Sequence, residues 1–215
     1  MTSHTASGSR IFWAGIILLI VLTVFGIVML VTYDSTPNGP VADISEGDWT
    51  KGAKGSLVLV EYSDFQCPAC ASYYPLVKQL MVEYGMRVQF VYRHFPLSQI
   101  HPNAASAAYA ADAAGKQGKF WSMHDILFEQ QKEWSARTDA PALFEQYATG
   151  LGLDLEKFKK DMQSEEVKKH VNDNVESGEK AGVDSTPSFY LDGKKIQNPR
   201  GYAEFKALVS SALSK

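Results

Sequence analysis

Two cysteines stand in the whole chain, at Cys67 and Cys70, and they enclose Pro68 and Ala69. The pair lies where an apolar, strand-like run gives way to a helical stripe. The unpaired N–H groups and positive dipole end of that helix favour a thiolate at Cys67 over a thiol. A thiol so acidified is both a nucleophile near neutral pH and a good leaving group, the two properties that thiol–disulfide exchange needs. Cys70, one turn further in and on the same face, is placed to close on Cys67 and release a mixed-disulfide partner. The pair therefore reads as a redox-active disulfide that needs no further cofactor. Two other readings compete with it. A structural disulfide closing so short a loop removes little unfolded-state entropy. A metal knuckle needs two more ligands at matched spacing, yet there is no second cysteine pair, and His94 and His101 stand alone, so no metal is expected.

The elements that must hold this pair can be read outward from it. Leu57–Ser63 is nearly continuously apolar and rich in β-formers, as a strand covered on both faces would be, and it is read as the first strand of the domain. From Cys67 to Tyr84, apolar residues at Tyr73, Leu76, Val77, Leu80, Met81 and Tyr84 trace one helical face. Pro68 suits a first helical position, whereas Pro75 is expected to kink the helix. Arg87–Arg93 reads as a second strand, completing a β-α-β unit.

Beyond Pro96 the pattern turns helical. Asn103 is expected to cap Ala104–Ala114, with Gly115 ending it. Further stripes cover Phe120–Gln131, Pro141–Thr149, Leu155–Met162 and Ser164–Lys180. Strand character returns at Pro187–Leu191, and Asp192-Gly193 is a type I′ hairpin signal leading into Lys194–Gln197. A last helix covers Tyr202–Ala212. The expected fold class is α/β: β-α-β, a helical insertion over about 103–180, then β-β-α, all within residues 48–215. Trp121, Phe128, Trp134 and Phe144 fall on helical stripes as core residues. His94 is placed in the turn after a strand and His101 at the start of a helix.

The chain has 215 residues, with 21 Lys+Arg against 24 Asp+Glu. A net charge of −3 with no dense basic run excludes a protein that wraps nucleic acid, because such binding neutralises several phosphates at once. From Ile11 to Val31 every residue is apolar, Gly or Thr. As a helix that run matches a hydrocarbon core of roughly 30 Å. It is read as a single transmembrane anchor in preference to a cleaved signal peptide, whose apolar region is shorter and ends in a small-x-small site. Arg10 before the run and Asp34 after it place residues 1–10 in the cytoplasm and the domain outside. Residues 32–47, with Pro37, Gly39 and Pro40, read as a linker. The protein is thus expected in the cell membrane as a single-pass protein. Its outward part carries 20 cations, all but Arg10, against all 24 acids, a net −4.

Four segments together resemble the DsbA-like thioredoxin-fold thiol–disulfide oxidoreductases: Glu61 to Cys70, Tyr92-Arg93-His94-Phe95-Pro96-Leu97, Gly118-Lys119-Phe120-Trp121, and Gly182 to Phe189. The likeness covers about residues 45–213. It implies that Cys67 is the exposed nucleophile and Cys70 the resolving cysteine. It also implies that Thr186-Pro187 forms the cis-proline loop that offers backbone to an extended substrate. From the residues alone, a trans proline opening an edge strand is the reading favoured there. Glu61 resembles the buried acid that exchanges a proton with the resolving cysteine, the alternative being a strand-end residue facing water. The implied partners are exported proteins with cysteines and a membrane protein that reoxidises the pair. One departure stands out: the strong oxidants of the family carry His before the second cysteine, where this chain has Ala69, and a less stabilised thiolate makes a less oxidising disulfide. Exchange in the oxidising direction is the reading adopted. A reductase or isomerase, or a non-enzymatic metal-delivery or chaperone module on the same fold, are its rivals.

Overall fold

The computed structural model describes residues 13, 16–25, 41, 44–54 and 57–214. The chain divides into two compact units, Met1–Pro37 and Asn38–Lys215. In the first, Trp13 is helical and residues 16–25 form helix α1 with largely exposed side chains. The other residues of the expected span, with residues 1–10 and most of the linker, lie outside the described residues. Among the described residues no helix is long and apolar enough to cross a membrane.

Among the described residues the second unit is built on a mixed five-stranded sheet. Strand β2, Leu57–Ser63, and strand β3, Val88–His94, run parallel at its centre and are joined by helix α2, Pro68–Tyr84. The other neighbours are antiparallel: β1, Trp49–Gly52, on β3; β4, Ser188–Leu191, on β2; and β5, Lys194–Lys195, on β4. Asp192 and Gly193 both have positive φ, as the predicted turn requires. Helix α2 runs unbroken through Pro75. The domain does not begin at Leu57 as expected: β1 precedes it, a four-residue edge strand whose Lys51 and Gly52 disguise it.

Because strand side chains alternate between faces, β2 divides its residues. Val60 and Tyr62 join Val91, Phe95, Val183 and Tyr190 on one side. Leu59, with Phe90, Tyr92 and Phe189, belongs to the larger core under α2 and the helical insertion. By the same alternation Glu61 points into that larger core, paired in register with Tyr92 on β3 and Phe189 on β4.

The insertion comprises α3 (Ala104–Gly115), α4 (Phe120–Glu129), α5 (Gln131–Trp134), α6 (Ala140–Gly150), α7 (Leu155–Met162) and α8 (Glu165–Lys180). Helix α9, Tyr202–Ala212, closes the chain on α2. Alanine makes α3 thin enough to sit among α4, α6, α7 and α8 with eight of its twelve residues buried. Three expectations need correction. The stripe over Phe120–Gln131 is two helices, broken at Gln130. Gly115 is the last helical residue, not the residue that ends the helix, and a Cβ there would lie 2.2 Å from the Trp49 ring. Asn103 makes no side-chain cap; its amide donates to the carbonyls of Ser135 and Arg137 and ties α3 to the end of α5. Trp134 and Phe144 are fully buried and Phe128 nearly so, as expected.

Candidate active site

Cys67 occupies the N-cap of α2 with Pro68 following it, so the strand–loop–helix junction delivers its sulfur to the helix's free N–H groups. Both cysteines are in the thiol form. Cys67 is 7% exposed, less open than the resemblance implied, and Cys70 is wholly buried. The Thr186-Pro187 peptide is cis, not the trans form that the residues alone favoured. It faces the pair: Cys67 Sγ donates to the Thr186 carbonyl at 3.4 Å. Thr186 Oγ1 is buried against the same sulfur and has no other partner among the described residues.

The Cys67 thiol is pushed down to about 5. The largest cause is the hydrogen bond that the Cys70 side chain gives its sulfur, and the N–H groups of Cys70 and Ala69 and the Thr186 side chain add to it against burial. Cys70 is driven the other way, first by burial and then by its bond to Cys67 and the charge on Glu61. One sulfur is thus held ready to attack while the other keeps its proton, and Asp64 N–H lies 3.5 Å from Cys70 Sγ.

Glu61 is 2% exposed, which removes the water-facing reading. Ser63 Oγ donates to it at 2.7 Å, its one donor among the described residues. Burial outweighs that bond and raises its carboxyl to about 7. A group poised there can take or give a proton near neutral pH. Ala69 is exposed and offers the sulfur only its N–H.

The site also uses residues that sequence reasoning missed. Gln131 of α5 donates to the carbonyls of Phe65 at 2.7 Å and Cys67 at 3.0 Å. Gln66 donates to Ser135 O and accepts from Asn103 N. The insertion therefore grips the active-site loop by its backbone. Asp64 holds the loop after β3, accepting from Leu97 N and pairing with His101 Nδ1 at 2.6 Å. Glutamines near helix starts carry no sequence signal for such contacts.

His94 is not in a turn. It is the buried last residue of β3. Neither does it stand alone: its Nε2 meets Asp112 Oδ1 at 2.9 Å, while His170 Nδ1 meets Asp112 Oδ2 at 2.5 Å and Trp49 Nε1 donates to Oδ1 at 2.6 Å. His94, Asp112 and His170 are close enough together to hold a metal ion. The donor set fits a hydrogen-bonded triad better. Metal-bound histidines usually anchor their second ring nitrogen, whereas His94 Nδ1 is buried with no partner among the described residues, and both Asp112 oxygens already accept from N–H groups.

A family model described as thioredoxin matches residues 45–211. The chain belongs to the thioredoxin family. Within it, the fold is that of the DsbA-like thiol–disulfide oxidoreductases. A thioredoxin-like oxidoreductase from Silicibacter pomeroyi superposes with a TM-score of 0.66 at 25% identity, over 80% of this chain and 95% of that one. BdbD from Bacillus subtilis gives 0.68 at 23% identity over 79% and 95% of the two chains, and alpha-DsbA1 from Wolbachia pipientis 0.68 at 19% over 80% and 93%. Sequence relatives include proteins named Na(+)/H(+) antiporter NhaA 3 of Salinispora tropica, 36% identical over 168 residues, and NhaA 1 of Mycolicibacterium vanbaalenii, 37% identical over 147 residues. The first match takes in 78% of this chain and the second 66%, but the chain spans only about a quarter of those relatives' length. The DsbA-like resemblance of the four sequence segments and the oxidoreductase class it implied thus hold.

Proposed function

We propose that the protein inserts disulfides into exported proteins by exchange at Cys67, on the outer side of the membrane, with residues 11–31 as its anchor. The observation that carries this is the seating of Cys67 Sγ at a helix N-cap, 3.4 Å from the Thr186 carbonyl and on the same core face as a buried Glu61. A client thiolate attacks Cys67 Sγ of the Cys67–Cys70 disulfide, the S–S bond breaks, and Cys70 leaves as a thiolate. Glu61 supplies the proton that Cys70 takes up. The client's second thiolate then attacks its own mixed-disulfide sulfur, expelling Cys67 as the stabilised thiolate. Two electrons have passed from client to enzyme, and a membrane redox partner that accepts them returns the pair to the disulfide. The backbone beside cis-Pro187 suits an extended client segment.

Ala69 argued for a weaker oxidant, but the donors around Cys67 lower its pKa without a histidine. That supports the oxidising direction over the reductase or isomerase. Titrating the couple against glutathione tests it. A midpoint above about −200 mV is expected, and one near the −270 mV or so of thioredoxin overturns the direction. The Cys70→Ala variant is expected to accumulate mixed disulfides through Cys67. Its failure to trap any thiol client would favour a binding module instead.

A further inference from the structure

Glu61 is shut inside the core, so a proton that it takes from Cys70 needs a way out. On the side of Glu61 toward β1 and α4 lies a cavity lined by Glu61, Lys51, Tyr74, Lys78, His124 and Asp125 among others. It leaves ≈ 20 Å³ for water centres, above the 10 to 15 Å³ or so that one water occupies. His124 of α4 is 6% exposed, and its Nδ1 lies 2.9 Å from Asp125 Oδ1. That contact assigns the ring proton to Nδ1, since a carboxylate accepts, and leaves Nε2 as a lone-pair acceptor with no protein partner among the described residues. Asp125 is the half-buried end of this chain, with its side chain 29% exposed.

The other groups around the cavity cannot do the same work. Lys51 of β1 and Lys78 of α2 are ammonium groups that offer donors and no acceptor. Burial holds the Tyr74 phenol protonated, and Tyr92 of β3, opposite Glu61 in register, is held so by burial and by the Glu61 charge. His94 of β3 is committed to Asp112. Burial keeps His124 itself neutral, lowering its pKa against the pull of Asp125.

We infer that His124 and Asp125 carry the proton of Glu61 to solvent through one water in this cavity, so that His124 is a positioning and relay residue acting through Glu61. When Cys70 must lose its proton, Glu61 accepts it and passes one to the water. The water gives one to His124 Nε2, and His124 releases its Nδ1 proton to Asp125 and the bulk. In the opposite direction of exchange every transfer reverses. No electron moves in this path, and each group ends as it began once the ring resets through solvent.

This inference rests on the proposed exchange chemistry, and one experiment separates the two. Oxidation of the reduced protein by glutathione disulfide, followed by rapid quench, has a first phase in which Cys67 attacks and a second in which Cys70 resolves the mixed disulfide. In His124→Gln the first phase is expected to match the wild type. The second is expected to slow by about tenfold or more between pH 6 and 8, short of the hundredfold or so of a lost acid–base group because His124 acts through Glu61. Its solvent deuterium isotope effect should rise, and added imidazole should restore part of the rate. Asp125→Asn, at a partly exposed position that keeps an acceptor for His124, should slow the same phase by about threefold and serves if the first variant fails to fold. A second phase with wild-type rate, pH profile and isotope effect in a folded variant overturns the relay. A wild-type protein that never forms the mixed disulfide overturns the exchange chemistry instead.

Discussion

Two of the domain's buried carboxylates lie at the same depth and are treated in opposite ways. Glu61 and Asp112 are each 2% exposed. Among the described residues Glu61 receives a single neutral hydroxyl, and burial lifts its carboxyl to about 7. Asp112 receives an indole and two imidazoles, and His94 and His170 together hold its carboxyl well below the ordinary range against the cost of burial. Burial is common to both, so the number and charge of the donors decide the outcome. A carboxylate with three N–H donors is a fixed anion that clamps β1, β3, α3 and α8 to one another. One with a lone hydroxyl has a loose proton at physiological pH.

The comparison can be broken most severely at the clamp. Asp112→Ala leaves the buried His94, the half-buried His170 and an indole without their acceptor, and about 3 to 5 kcal/mol of stability should be lost, measured by denaturant unfolding at pH 7 with catalytic cysteines intact. Glu61→Gln should do the reverse. A group whose folded pKa is raised from 4.5 to about 7 favours the native state when protonated. Its ionisation costs stability as pH rises through that interval, in full above it. At pH 8 the variant should therefore be more stable than the wild type by roughly 3 kcal/mol, with no gain at pH 4. The same variant should resolve mixed disulfides about a hundredfold more slowly, having lost the proton acceptor. Cys70→Ala removes the largest stabiliser of the Cys67 thiolate. Thiolate absorbance, which should titrate near pH 5 in the wild type, should move up by about one to two units. The smallest effect belongs to Gln131→Ala, which frees two backbone carbonyls of the active-site loop. A stability loss of about 1 to 3 kcal/mol is expected, with the Cys67 titration changed little.

How far these features were legible follows from how local each one is. Cys67 and Cys70 announced themselves because the boundary between an apolar strand and a helical stripe is written in consecutive residues. The hairpin at Asp192-Gly193 and the helices Leu155–Met162 and Tyr202–Ala212 were equally local, and their limits agree with the structure. β1 was not legible, because four residues with Lys and Gly at the end become a strand only by pairing with β3. The Asp112 clamp joins residues 49, 94, 112 and 170, each unremarkable in its own segment. Glu61 was visible as an acid in an apolar strand, but whether it met water or a cysteine was a fact about what lay above the sheet. The cis Thr186-Pro187 peptide came only through the family resemblance, which implied it; its own residues favoured trans, because the facing Cys67 that gives that turn its meaning is distant in the chain.

The shallow exposure of Cys67 sets a steric condition on its clients. A cysteine residue only 7% exposed, its sulfur 3.4 Å from a backbone carbonyl, favours a thin, straight length of chain as its partner. A cysteine in a stretched, unfinished polypeptide can reach it, whereas one recessed in a completed domain cannot. On the proposed exchange at Cys67, the site would take a cysteine while its chain is still extended and refuse the same cysteine once it is folded away.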